Sequence, residues 1–281
     1  MPKALILDFD GSILLPETAE RLDLRSYEER VRYYARFGDI EKLKSDIEDV
    51  VPRYRTFFCG SGDFHHISYL LLQLLPYQNL HVVVLDNHPD NMYFPAAIHC
   101  GSWVYHASKL PNVSNITVVG ITSGDMRGLS LLQNRFSALR SGKVKYYCLC
   151  PVSKTASMLS NNGIKHIDPS VNSAVRILED IVDEGRPVYL SVDKDVLAQD
   201  EIVTTWDQGL MKQSELLKCI RALSKNIIGA DIVGDLSIYN YRSLLKRFVR
   251  RLDGEETSGV TKEEQLRHAD LNIKLLSMLN A

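Results

Sequence analysis

The sequence carries no surplus of positive charge: 33 basic side chains stand against 35 acidic ones, for a formal net charge of −2. Without a basic field the chain is not expected to hold nucleic acid or an anionic membrane surface, and its expected partner is a small molecule. It also lacks an apolar run approaching the roughly 18 residues that span a bilayer. Its first residues, Met-Pro-Lys-Ala-Leu-Ile-Leu-Asp, enter a strand-like run at once, with no basic start, apolar stretch and cleavage site. That start predicts a cytoplasmic protein. Cysteine is sparse, and Cys59, Cys100, Cys148, Cys150 and Cys219 are odd in number and scattered, which argues against a disulfide framework and fits reduced thiols. Cys148 and Cys150 fall on one face of a strand, but no second pair lies nearby to complete a zinc site. Repeats, low-complexity tracts and Pro/Gly/Ser linkers are missing too, so residues 1–281 read as a single domain.

What is present alternates. Short apolar or β-branched runs at 3–8, 54–59, 79–86, 115–121, 143–150, 187–192 and 226–233 read as strands. Between them, 19–37, 66–75, 124–136, 153–161, 172–184, 212–224 and 238–251 carry apolar residues at helical spacing. A C-terminal helix at 262–279 follows a surface loop at 254–259. Strands that are apolar almost throughout, such as Leu-His-Val-Val-Val-Leu at 80–85, suit a parallel sheet covered by helices on both faces. The predicted class is α/β, a three-layer α/β/α sandwich with a mainly parallel sheet. The last helix has two places to go, its own sheet or another subunit, so a homo-oligomer stays open.

In an open parallel sheet, ligands bind beyond the carboxyl ends of the strands. Three of those ends are rich in metal-type donors. After 79–85 comes Asp86-Asn-His88-Pro-Asp90, which in extended chain points two carboxylates and an imidazole the same way. After 187–192 comes Asp193-Lys194-Asp195, whose neighbouring carboxylates are unfavourable unless a cation or a proton sits between them. After 54–59 comes Gly60-Ser-Gly-Asp63-Phe-His65-His66, a glycine-rich turn leading into a helix. Carboxylate and imidazole donors without thiolates suit Mn²⁺ best and Fe²⁺, Co²⁺ or Zn²⁺ next, and these are more donors than one ion needs.

Taken in order, the three segments resemble the metal-binding motifs of the ureohydrolases, the family of arginase, agmatinase and formimidoylglutamase: Gly-Gly-Asp-His, Asp-Ala-His-x-Asp and Ser-Phe-Asp-x-Asp. Fainter likenesses lie at Ile98-His99-Cys-Gly101, Thr204-Thr-Trp-Asp-Gln-Gly209-Leu and Gly229-Ala-Asp231-Ile-Val-Gly234-Asp235, so the resemblance runs from about residue 55 to 236. It implies an arginase-like fold and a pair of Mn²⁺ ions about 3.5–4 Å apart. The implied ligands are Asp86, His88, Asp90, Asp193, Asp195 and one of His65 and His66, with His65 preferred. A hydroxide between the ions would attack the carbon of a small guanidino, amidino or ureido-type substrate and break a carbon–nitrogen bond, with His99 passing a proton to the leaving amine. One departure is plain. Where the family ends its late strand in a Glu that grips the guanidinium, this chain has Gly234, with Asp235 beside it as the candidate replacement.

Other readings stay open. Leu7-Asp8-Phe9-Asp10-Gly11-Ser12 imitates the first motif of the haloacid dehalogenase phosphatases, with Asp8 as nucleophile and Asp10 as acid/base. That reading leaves the later carboxylate motifs without a role, and a strand ending in a glycine turn with solvated aspartates accounts for the segment equally. A deacetylase-like amidohydrolase with one zinc and a non-catalytic, metal-binding member are the remaining alternatives. His81 and His106 read as hydrogen-bonded packing residues. Lys246-Arg247-Phe-Val-Arg250-Arg251 reads as the solvated face of a helix.

Overall fold

The computed structural model describes residues 4–16, 19–128, 130–168, 170–252 and 259–280; the surface loop expected at 254–259 lies outside them except for Gly259. The strands are β1 (Ala4–Asp8), β2 (Glu20–Asp23), β3 (Tyr34–Arg36), β4 (Thr56–Phe58), β5 (Leu80–Leu85), β6 (Ala97–His99), β7 (Val113–Ile121), β8 (Val144–Cys148), β9 (Ile164–His166), β10 (Val188–Asp193) and β11 (Ile227–Val233). The helices are α1 (Glu28–Val31), α2 (Phe37–Ile47), α3 (Ile67–Leu74), α4 (Trp103–Ala107), α5 (Phe136–Arg140), α6 (Lys154–Leu159), α7 (Val171–Asp183), α8 (Gln213–Leu223), α9 (Leu244–Leu252) and α10 (Lys262–Leu279).

Nine of the strands form one sheet in the order β2-β1-β4-β11-β10-β5-β7-β8-β9. Every pairing within it is parallel. Alternate side chains of the central strands feed two separate cores, as the two-residue period of a strand requires. Leu80, Val82 and Val84 of β5 join Ile40 and Leu43 of α2 and Leu70 of α3 on one face. Val83 and Leu85 join Leu178 of α7, Leu216 of α8 and Leu271 of α10 on the other. The expected α/β/α sandwich is therefore present, with α10 packed on its own sheet. All five cysteines are buried thiols. No helix among the described residues is long and apolar enough to cross a membrane.

Several stretches depart from the predicted pattern, among them the helix expected over 238–251, which begins only at Leu244. The helix expected over 19–37 is instead the edge strand β2, a 3-10 turn at Arg25–Tyr27, the single turn α1, and β3, which pairs antiparallel with β6. Leu24, Tyr27 and Val31 sit at helical spacing, but pairing with β1 captures the first part. Tyr33 then takes a left-handed backbone (φ 72) that stops any helix there. The helix expected over 124–136 is broken into 3-10 turns at Gly124–Met126 and Ser130–Gln133, with α5 starting only at Phe136. Gly128, with φ 53, sits at the break. Helix α2 was not foreseen, although Ile40, Leu43 and Ile47 form its buried stripe.

Candidate metal centre and its cleft

Strands β4, β11, β10 and β5 are neighbours in the middle of the sheet, so the three donor-rich segments that follow β4, β5 and β10 leave the same edge side by side. His65 ends the 3-10 turn Gly62–Phe64 after β4. Its Nδ1 lies 2.9 Å from Asp90 Oδ2, 3.3 Å from Asp86 Oδ2 and 3.4 Å from Asp193 Oδ2. His88 Nδ1 lies 2.9 Å from Asp195 Oδ2 and 3.6 Å from Asp86 Oδ1. Two groups of donor atoms result, His65 with Asp86 and Asp193, and Asp86 with His88 and Asp195; within each, the atoms lie within 4.8 Å of one another. Asp86 belongs to both.

Packing four carboxylates together has an electrostatic cost that the structure registers. Burial, and then the charge of Asp86, pushes Asp90 and Asp195 each up to about 7. Burial and the charge of Asp195 raise Asp193 well above the ordinary carboxylate range. Burial works against a charged His65, yet the facing Asp90 and Asp86 carry its pKa well above the usual value. Asp86 Oδ2 is buried and receives no hydrogen bond. A cation among these atoms would relieve the three raised carboxylates at once.

The imidazoles are held from behind. His65 Nε2 lies 3.0 Å from Ser191 Oγ, which donates to Asp231 Oδ1 at 2.8 Å, while Ser68 Oγ donates to the same oxygen at 2.9 Å. His88 Nε2 lies 2.7 Å from Asp207 Oδ1. In both rings Nε2 therefore carries a proton, and Nδ1, whose own proton is held by the facing carboxylates, is the atom that a cation would free as a lone-pair donor. Trp103 Nε1 donates to Asp90 Oδ2 at 2.6 Å.

A cleft of about 340 Å³ opens over these groups and is lined by Asp90, Asp193, Asp195, His65, His88, His99, Trp206 and Asp207, among others. Gly62 lies under its floor, where a Cβ would stand 3.1 Å from both Asp193 Oδ2 and Trp206 Cδ1. Trp206 stacks on Tyr33 at 6.0 Å, and Tyr33 meets the His99 ring edge-on at 4.3 Å. His99 Nδ1 accepts the Gly101 N–H at 2.9 Å, and burial pushes its pKa down to about 3. A neutral ring with its proton on Nε2 is the state that these contacts favour.

A sequence model of the arginase family matches residues 23–235. The chain belongs to the arginase family. Solved structures with the same fold include an arginase from Bacillus subtilis (12% identical, TM-score 0.57, covering 99% of this chain and 98% of that one). A hypothetical agmatinase from Burkholderia thailandensis is 19% identical with a TM-score of 0.56, over 92% of this chain and 68% of that one. An uncharacterized protein of Thermotoga maritima is 27% identical over 240 residues, 83% of this chain and 80% of that one.

Within this arginase-family fold, the donor groups draw in His65, Asp86, His88, Asp193 and Asp195; Asp90 stands in neither but touches the first through His65, and His66 is buried at the start of α3 and stands in neither. Asp235 is not among the residues that line the cleft. It is buried behind β10, 2.8 Å from Lys194 Nζ, and accepts from Asn272 Nδ2 of α10 at 3.0 Å. Asp8 pairs with Arg21 and Arg25, and Asp10 with Ser12, the Ser61 N–H and Arg32, so the phosphatase-like aspartates are committed to holding loops. Lys246 corrects the expected solvated face of 246–251. It is buried, and its Nζ donates to the carbonyls of Glu29, Arg32 and Tyr34 at 2.7–2.9 Å, closing the turn that replaced the predicted helix. Sequence reasoning gave no role to Ser191, Ser68 or Asp207, and read Trp103 as a pocket-lining or packing residue. The signal for Ser191 was its place two residues before Asp193 on one strand face.

Proposed function

We propose that this arginase-family chain is a dinuclear, Mn²⁺-dependent hydrolase cleaving a carbon–nitrogen bond of a small guanidino, amidino or ureido-type molecule. One observation carries the reading: Asp86 stands in two adjacent carboxylate–imidazole groups at once, the arrangement that a pair of ions sharing one ligand requires. The donors fit such ions, being oxygen and imidazole without thiolate, with one buried carboxylate oxygen that has no hydrogen-bond partner. His65, Asp86, Asp90 and Asp193 would hold one ion, and Asp86, His88, Asp193 and Asp195 the other. Bound there, the pair supplies Lewis acidity and makes water a nucleophile near neutral pH.

The chain's own groups do the rest. The Ser191–Asp231 and Asp207 contacts fix both imidazole tautomers, and Trp103 holds Asp90 in place. Tyr33 and Trp206 form an aromatic wall beside the donors that limits water. His99, with Nδ1 held by the Gly101 N–H, offers the N–H on Nε2 to the substrate as a hydrogen-bond donor.

The test is metal stoichiometry by plasma mass spectrometry on Mn²⁺-loaded, desalted protein beside an Asp193→Asn, Asp195→Asn double variant, followed by a panel of guanidines, amidines, ureas and amides scored by ammonia, urea or amine release. Two ions per chain, lost in the variant, with turnover of at least one compound is the expected result. Full occupancy with every compound intact would leave a binding protein instead.

A further inference from the structure

The lining of the cleft is of two chemical kinds. Beside Asp193, the wall formed by Gly62, Trp206 and His99 is uncharged. A planar cation such as a guanidinium is gripped by carboxylates in paired hydrogen bonds. The nearby carboxylates outside the metal groups are already taken: Asp63 accepts from Arg32 Nε at 2.7 Å and from Trp206 Nε1 at 3.2 Å, and Asp235 pairs with Lys194. The other wall is acidic. Asp125 accepts a hydrogen bond from Ser123 Oγ and has no basic partner among the described residues. Asp207 lines the same cleft with its side chain mostly exposed, and accepts from His88 Nε2 at 2.7 Å. Asn87 joins the segments bearing these two aspartates, donating to the Asp207 carbonyl at 2.9 Å and accepting from the Thr122 N–H at 3.2 Å. No lysine or arginine lines the cleft among the described residues.

From this polarity we infer that the substrate is a linear amide or urea of a diamine, uncharged at the carbon to be attacked and cationic at its far end, with Asp125 and Asp207 receiving the ammonium. The inference rests on the hydrolase reading above and narrows its substrate. One water is consumed: a carbon–oxygen bond forms, the carbon–nitrogen bond breaks, and the freed nitrogen takes a proton to leave as the second amine. The acyl part leaves as a carboxylate, or as ammonia and carbon dioxide from a urea. A carboxylate tail would face two like charges and be rejected.

The experiment compares N-acetylputrescine, N-carbamoylputrescine, agmatine and N-acetyl-γ-aminobutyrate on Mn²⁺-loaded protein whose metal content has been counted, for the native chain and the Asp125→Asn and Asp125→Lys variants. One of the two amine-tailed, neutral-headed compounds is expected to give kcat/KM at least about tenfold above the other two probes. Asp125→Asn is expected to raise its KM roughly tenfold with kcat nearly unchanged, the pattern of lost ground-state binding. Asp125→Lys is expected to move the tail preference toward the carboxylate. Faster hydrolysis of agmatine would overturn the uncharged-head inference, and equal use of the carboxylate compound, or a KM unmoved by Asp125→Asn, would overturn the cationic-tail inference; both leave the hydrolase standing. Two ions bound with all four probes intact would overturn this inference, and the hydrolase reading would fall with it only if the wider panel above stayed intact as well.

Discussion

A histidine ligand is defined as much by the nitrogen that does not touch the metal as by the one that does. At His65 that second nitrogen is answered by Ser191, which is fixed in turn by Asp231 across the β10–β11 pairing, where the two residues are in register. Replacing Ser191 by Ala leaves the buried Nε2 without its partner and frees the ring to turn. Mn²⁺ affinity is expected to fall about 10- to 100-fold, as for other outer-sphere ligand partners. Titration with Mn²⁺ followed by calorimetry measures it. An affinity equal to that of the native chain would mean that the carboxylates alone orient the ring.

Among the elements, the ends of β10 and β11 and the face of α10 meet at a buried charge pair. Lys194, between Asp193 and Asp195 in sequence, turns to the opposite side and pairs with Asp235, while Asn272 of α10 also binds that carboxylate. Lys194→Met strands the Asp235 charge in the interior and is expected to cost about 3–5 kcal/mol, whereas Lys194→Met combined with Asp235→Leu should recover most of that loss. Urea unfolding of the two variants decides; equal destabilisation would show that the pair's partners, not its charge balance, matter. This pair also marks where the sequence was legible. The alternation of Asp86, His88 and Asp90, and of Asp193 and Asp195, points side chains to one side of an extended chain, and that geometry is local. Likewise β5 and β10 announce themselves because burial on both faces leaves no polar residue for solvent. The span 19–37 was misread because its apolar spacing fits a helix, while the pairing of β2 with β1 and the burial of Arg32 and Lys246 are decided by residues distant in sequence. Asp207 and the Trp103 contact with Asp90 escaped for the same reason, since nothing near either residue in the chain names its partner.

For the molecule as a whole, the crowded carboxylates link metal, protons and stability. Asp90 and Asp195, pushed up from 3.8 to about 7 by burial and then by the charge of Asp86, bind more protons folded than unfolded. The ion-free protein should therefore lose stability as pH climbs from about 4 to about 7, and a bound cation, which replaces those protons, should stabilise more across the same window. Melting with chelator and with Mn²⁺ at pH 5 and pH 8 checks the sign: the gap between the two curves is expected to widen at the higher pH. A gap that is constant or narrows would mean that the carboxylates are not protonated in the ion-free fold. The same crowding constrains how the chain can change over generations. Gly234 has φ 92, and a Cβ there would lie 2.7 Å from Asp193 Oδ1 and 2.8 Å from the Lys194 amide nitrogen. Any side chain at that position must first push a metal-site residue aside, so a carboxylate at 234 is not one mutation away. The ends of β10 and β11 would have to separate beforehand, a ratchet through which descendants of this sequence could place a side chain there only by several changes made together.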